Sequence, residues 1–144
     1  MSRCRETAAL LGYAAASSEP RLIEMDWGDW EGQSLAALRE TLGPTLAEKE
    51  RRGLDFRPAG GESPRDVQTR LQPWLVALAE ADTPTVAVTH KGVIRALYAT
   101  ARGWDMTALP PDKLAWDRAH AFAVTAGGAL AIAQLNIPLT EPPP

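Results

Sequence analysis

The 144-residue sequence has a single cysteine, Cys4, and only two histidines, His90 and His120. One cysteine excludes an internal disulfide and any multi-cysteine metal site. Its 15 lysines and arginines are scattered without a basic run among 18 acidic residues, giving a net charge of -3 and a pI near 5.4. That balance argues against a nucleic-acid or membrane-surface partner and favours a small, discrete ligand. No hydrophobic run approaches bilayer length and no charged-then-apolar leader opens the sequence, so a cytoplasmic protein is expected. A chain of this length can bury about two-thirds of its unfolded surface in one core. One domain is expected over residues 1–137. A Pro-rich tail is expected from 138 to 144, of which Thr140 to Pro144 cannot extend a sheet and is expected to be disordered.

What is present centres on Thr85 to Arg95, Thr-Val-Ala-Val-Thr-His-Lys-Gly-Val-Ile-Arg. It reads as a buried strand, Val86 to Val88, ending on Thr89-His90 and turning through Gly92 into a helix that begins near Val93. A histidine at the carboxyl end of a strand, beside the free N–H groups of the next helix, stands where α/β proteins bind anions.

The flanking sequence is mostly helical in pattern. A helix is expected over Arg3 to Leu11 and a short strand over Arg21 to Ile23, followed by a structured loop from Glu24 to Gly32 that is rich in tryptophan, glycine and carboxylates. Ser34 can cap a helix carrying Leu35, Leu38 and Leu42, which Gly43-Pro44 interrupts before a charged continuation to Arg52. Ser63 and Pro64 read as the cap and first residue of a helix in which Val67, Leu71, Trp74, Leu75 and Leu78 share a face, with a kink expected at Pro73. Val93, Ile94, Leu97 and Tyr98 give the next helix a buried face, and Gly103 ends it. Phe122 to Val124 and Leu130 to Leu135 flank Gly127-Gly128, the pattern of a hairpin with a two-residue turn.

Four short segments carry polar residues that core packing does not require: Arg3-Cys4-Arg5-Glu6-Thr7-Ala8, Glu24 with Gly28 to Gly32, Gly60-Gly61-Glu62-Ser63, and Thr89-His90-Lys91-Gly92. Arginine offers a rigid fork matched to phosphate oxygens, a capped helix start offers N–H groups, and His and Glu exchange protons near neutral pH. The set suits binding and transfer of a phosphoryl group with no metal and no other cofactor. In order and spacing these segments resemble the histidine phosphatase superfamily, also called phosphoglycerate mutase-like. Arg3 to Ala8 is similar to the end of its "Ser-Pro-Leu-x-Arg-Ala-x-x-Thr-Ala" segment, and Leu22 to Gly32 to its "Leu-x-Glu-x-x-x-Gly-x-Trp-Glu-Gly" segment. Gly60 to Ser63, with Arg70 following, resembles its "Gly-Glu-Ser" helix start, and Thr89 to Gly92 its "Ser-His-Gly-Gly" segment.

The resemblance implies an α/β fold, a three-layer phosphoglycerate mutase-like sandwich with a mostly parallel sheet. It implies hydrolysis of a small phosphate monoester through a phosphohistidine, with Glu24 and His90 catalytic and Arg3, His90 and Gly92 binding the phosphate. The family's nucleophilic histidine stands in an "Arg-His-Gly" segment after the first strand, and no such segment occurs here. By the resemblance the chain lacks its first strands and its nucleophile, and is expected to be inactive as given. A phosphatase whose true start lies upstream, a non-catalytic relative binding a phosphate ligand or a protein, and a truncated product all remain open. Lys91, where the family has Gly, either places a cation at the pocket rim or faces solvent.

Overall fold

In the computed structural model, which describes residues 2–139, five α-helices and one β-hairpin are joined by irregular segments and single 3-10 turns. Helix α1, Ser2–Leu10, runs close to its expected bounds. No strand follows at Arg21 to Ile23. Pro20–Leu22 is instead a 3-10 turn, because the Glu19 carboxylate takes the Arg21 backbone N–H at 3.0 Å and its guanidinium at 2.6 and 2.7 Å, curling the chain locally.

Helix α2, Leu35–Leu42, begins where Ser34 Oγ accepts the Ala37 N–H at 3.1 Å, and Gly43 separates it from α3, Pro44–Glu50. Helix α4, Pro64–Ala81, opens on a complete capping box: Ser63 Oγ takes the Asp66 N–H while the Asp66 carboxylate takes the Ser63 N–H at 2.7 Å. It continues without a break through Pro73. Helix α5, Lys91–Arg102, ends at Gly103 with φ of 67°, a left-handed cap that glycine adopts freely.

Val67 and Leu71 of α4 meet Val93 and Ala96 of α5, with Met25 completing the cluster. On the far side of α5, Tyr98, Ala99 and Trp104 receive Phe122, Ile132 and Leu135 from the hairpin. The Tyr98 hydroxyl donates to Asp112 Oδ2 and accepts the Asp112 N–H, both at 2.9 Å. Burial, and then the adjoining carboxylate, push its phenol pKa up.

Strands β1, Arg118–Thr125, and β2, Ala129–Pro138, pair antiparallel with Phe122 opposite Ile132. Their turn has three residues, Ala126–Gly128, rather than the expected two. Tertiary packing sets its length: a Cβ on Gly128 would stand 2.8 Å from the Val76 amide nitrogen of α4, and Gln72 Nε2 donates to the Gly127 carbonyl at 2.8 Å. Strand β2 takes in Pro138, one residue beyond the expected domain end; the tail from Thr140 to Pro144 lies outside the described residues.

The expected buried strand at Val86 to Val88 is not formed. The segment has no regular secondary structure, Val86 is 60% exposed, and no backbone hydrogen bond joins residues 84–89 to another segment among the described residues. A strand exists only by pairing, and among the described residues no neighbouring strand lies beside it. The sheet of the described residues is the hairpin alone, antiparallel rather than mostly parallel.

Candidate functional site

The start of α5 brings together Glu24, His90 and Gly92, three of the residues singled out by sequence. His90 is its N-cap, in extended backbone with φ of -107° and ψ of 161°, and its side chain makes no capping bond. The first N–H groups of a helix have no partner within it, so they remain open to an acceptor. Thr89 Oγ1 donates to the Leu22 carbonyl at 2.7 Å and ties this junction to the segment before Glu24. The Glu24 carboxylate accepts the Met25 N–H at 2.9 Å and lies against Gly92 so closely that a Cβ there would collide with Oε1. Glycine at position 92 therefore admits a carboxylate to the helix start.

Arg70, one and a half turns into α4, fixes the backbone that presents Glu24. Its guanidinium donates to the carbonyls of Arg21, Ile23 and Glu24, the latter two at 2.8 and 3.3 Å, and to both oxygens of Glu62 at 2.9 and 3.2 Å. Glu62 in turn accepts the Asp26 N–H at 3.1 Å, and its own N–H donates to the Asp26 carbonyl at 2.8 Å. With Arg70 and Glu62 side chains only 19% and 26% exposed, this pair is shielded enough to order the loop. Glu62 and Arg70 are positioning residues for Glu24. Glu31 holds the same loop by accepting the Trp27 N–H at 3.2 Å.

The α1 side is looser. Cys4 Sγ stands 3.3 Å from His90 Nε2, and Cys4 and Arg5 line a cavity of about 630 Å³ that also reaches His90 and Val86. Arg3 is exposed, lines neither this cavity nor the next, and makes no hydrogen bond or ion pair among the described residues. A second cavity, of about 710 Å³, opens beside Glu24, Lys91 and Gly92. Lys91, an exposed residue that lines this cavity, places its ammonium 5.3 Å from the centre of the Trp116 ring. His120 is elsewhere, on β1, where its Nδ1 accepts the Asn136 N–H at 3.3 Å. Among the described residues no three His, Cys, Asp or Glu side chains are placed to hold a metal ion, and no helix is long and apolar enough to cross a membrane.

Sequence reasoning missed the Cys4–His90 contact and the carbonyl clamp of Arg70. The only signal for the clamp is an arginine eight residues after Glu62, which puts both on one side of the α4 start.

Residues 1–131 match the sequence model of the histidine phosphatase superfamily (branch 1). The chain belongs to that superfamily. Among curated relatives, the glucosyl-3-phosphoglycerate phosphatase of Mycobacterium tuberculosis is 34% identical over 113 residues, covering 69% of this chain and 50% of that protein. The fructose-2,6-bisphosphatase of Saccharomyces cerevisiae is 29% identical over 99 residues, covering 69% of this chain and 22% of its own length. The chain thus spans half or less of these relatives. The solved structure of a mycobacterial glucosyl-3-phosphoglycerate phosphatase with inorganic phosphate superposes with a TM-score of 0.72 at 25% identity, covering 94% of this chain and 73% of that one. The fold is the phosphoglycerate mutase-like fold, with the small sheet described above.

Proposed function

We propose that the chain carries the phosphate-binding and acid side of a histidine phosphatase site, which in a complete family domain hydrolyses a small phosphate monoester. The observation that carries this reading is the seating of the Glu24 carboxylate against Gly92, in the first turn of the helix that His90 caps. It joins a proton-exchanging acid, an imidazole and open helix N–H groups at one place. His90 and the N–H groups near Gly92 hold the phosphate oxygens, with Arg3 joining them only by swinging in from its exposed place on α1, and His90 offsets the charge that builds on them in the transition state. As the P–O ester bond breaks, the leaving oxygen takes the proton of Glu24 and the phosphoryl group passes to a histidine nitrogen. Water then attacks that phosphorus, returns a proton to Glu24 and releases inorganic phosphate.

His120, on its hairpin strand, is a poor candidate for that acceptor, and the sequence contains no Arg-His-Gly segment. In this reading the 144-residue chain binds phosphate without turning esters over. Relatives named as phosphatases stand beside one named as a phosphoglycerate mutase, so the preference for a phosphatase over a mutase rests on the short segment from Ser34 to Gly61. The partner is a small phosphorylated substrate in the cytoplasm, with no metal or other cofactor required.

Thermal unfolding with phosphate or vanadate, run beside a phosphomonoester hydrolysis assay, tests the proposal. Ligand at a hundredfold excess over its dissociation constant should stabilise the chain by about 2.7 kcal/mol and raise its Tm. Hydrolysis should stay at the buffer rate, and should appear in a version extended by the in-frame upstream coding sequence. Turnover by the 144-residue chain that disappears in His90→Ala would overturn the missing nucleophile. An unmoved Tm at millimolar ligand would overturn the phosphate site.

A further inference from the structure

The cavity beside Glu24 has a chemical character of its own. Trp27, Trp30, Leu35, Leu38, Phe56 and Trp116 all line it, and its volume of about 710 Å³ falls in the range of small-molecule sites. Glu24 and Gly92 line it, so it is continuous with the place where the leaving oxygen would take a proton. Three of its polar side chains are engaged by their own loops. Glu24 takes the Met25 N–H, Glu31 takes the Trp27 N–H at 3.2 Å, and Gln33 Nε2 donates to the Asp29 carbonyl at 2.7 Å. Hydroxyls of a polyhydroxylated leaving group set against the aromatic and aliphatic wall would be desolvated without replacement. A second anion is also disfavoured, because the two lining cations, Lys91 and Arg95, face three lining carboxylates, Glu24, Glu31 and Glu50. Both cations lie over indole rings, at 5.3 Å from Trp116 and 5.5 Å from Trp104, which suits them to an aromatic surrounding.

We infer that this cavity is the leaving-group subsite and that it selects phosphate monoesters whose leaving group is an uncharged aromatic or other apolar ring. The inference rests on the phosphate site proposed above. It departs from the relatives whose names specify sugar phosphates. Trp116, 43% exposed at the mouth, is the specificity-determining residue, since a ring entering the cavity covers its free face.

Calorimetric titration of the 144-residue chain with inorganic phosphate, 2-naphthyl phosphate and a hexose monophosphate tests it without requiring turnover. The naphthyl ester is expected to bind about tenfold more tightly than the hexose ester, and Trp116→Ala to remove most of that ratio. Phosphate binding with no naphthyl preference, or a preference unchanged in Trp116→Ala, overturns the subsite alone. Failure of all three ligands to bind overturns the phosphate site and the subsite with it. The exposure of Trp116 keeps its truncation away from the core, and Leu35→Ala, at 49% exposure on the same wall, gives an independent second variant expected to lower the ratio in the same direction.

Discussion

Gly28 and Gly92 each leave no room for a methyl group, but the neighbours that would meet it differ in kind. At Gly28, with φ of 50°, a Cβ would run into the Ala59 carbonyl and come within 2.5 Å of the Gly61 amide nitrogen, both main chain. At Gly92 it would meet the mobile end of the Glu24 side chain, with Met25 Cβ at 3.3 Å. Gly28→Ala should therefore cost on the order of 3 kcal/mol of stability, from left-handed strain and overpacking together. Gly92→Ala should cost under about 1 kcal/mol, because Glu24 can swing aside. Its effect should fall on the site, halving or more the Tm gain that phosphate gives the parent chain. Chemical denaturation and the phosphate shift, measured on both variants, separate the two outcomes. Loss of folding in Gly92→Ala comparable to that in Gly28→Ala would contradict the geometry. At this scale the sequence was readable where chemistry is local: Glu24 precedes a glycine-rich loop, and His90 and Gly92 mark a helix start by their residue types. Cys4 meets His90 across 86 positions, and no local pattern encodes such a contact.

Among the elements, the start of α4 is the best specified. Ser63, Pro64 and Asp66 are consecutive signals for one helix N-terminus, and the structure realises all of them. The Asp66 carboxyl is held below its ordinary range, first by the Ser63 backbone N–H and then by the Ser63 hydroxyl and Arg57. A depressed carboxyl contributes stability that is fully present above its unfolded pKa, near 4, and is lost as pH falls through the folded value. Asp66→Asn should thus lower stability by about 1 kcal/mol at pH 7, with the gap to the parent closing below pH 4. A gap independent of pH, in denaturation curves taken from pH 7 down to pH 3, would show that charge plays no part in this cap. Helices could be bounded from sequence because caps and periodicity are carried by neighbouring residues. The strands at Arg21 to Ile23 and Val86 to Val88 could not, because a ladder depends on a partner that the segment itself does not contain. The hairpin turn gained its third residue for a similar reason, its docking on Gln72 and Val76.

Taken whole, the molecule is closed where α4 and α5 pack and open beside α1. Tyr98, Val67 and Val93 have no exposed surface, whereas Val86 is 60% and Tyr13 50% exposed at the cavity between α1 and residues 84–88. Apolar side chains beside main chain with unused hydrogen-bonding groups make an edge that pairs with other edges. The chain should self-associate at micromolar concentration, and Val86→Lys should shift it towards monomer at little cost in stability, since the residue is exposed. Sedimentation velocity over a concentration series checks this. A parent chain that stays monomeric throughout, or association indifferent to Val86→Lys, would count against edge pairing as its cause.

The contact between Cys4 and His90 joins the two sides of the site through one thiol and one imidazole, while Arg70 locks the other side with a whole set of bonds. In terms of entropy the two halves are unequally paid for before any ligand arrives. A phosphate that bridges α1 and the start of α5 must spend part of its interaction energy on ordering α1 against His90. Its measured affinity therefore reports the looseness of that joint as well as the strength of its own contacts, and anything that stiffened α1 would tighten binding without adding a single new bond to the ligand.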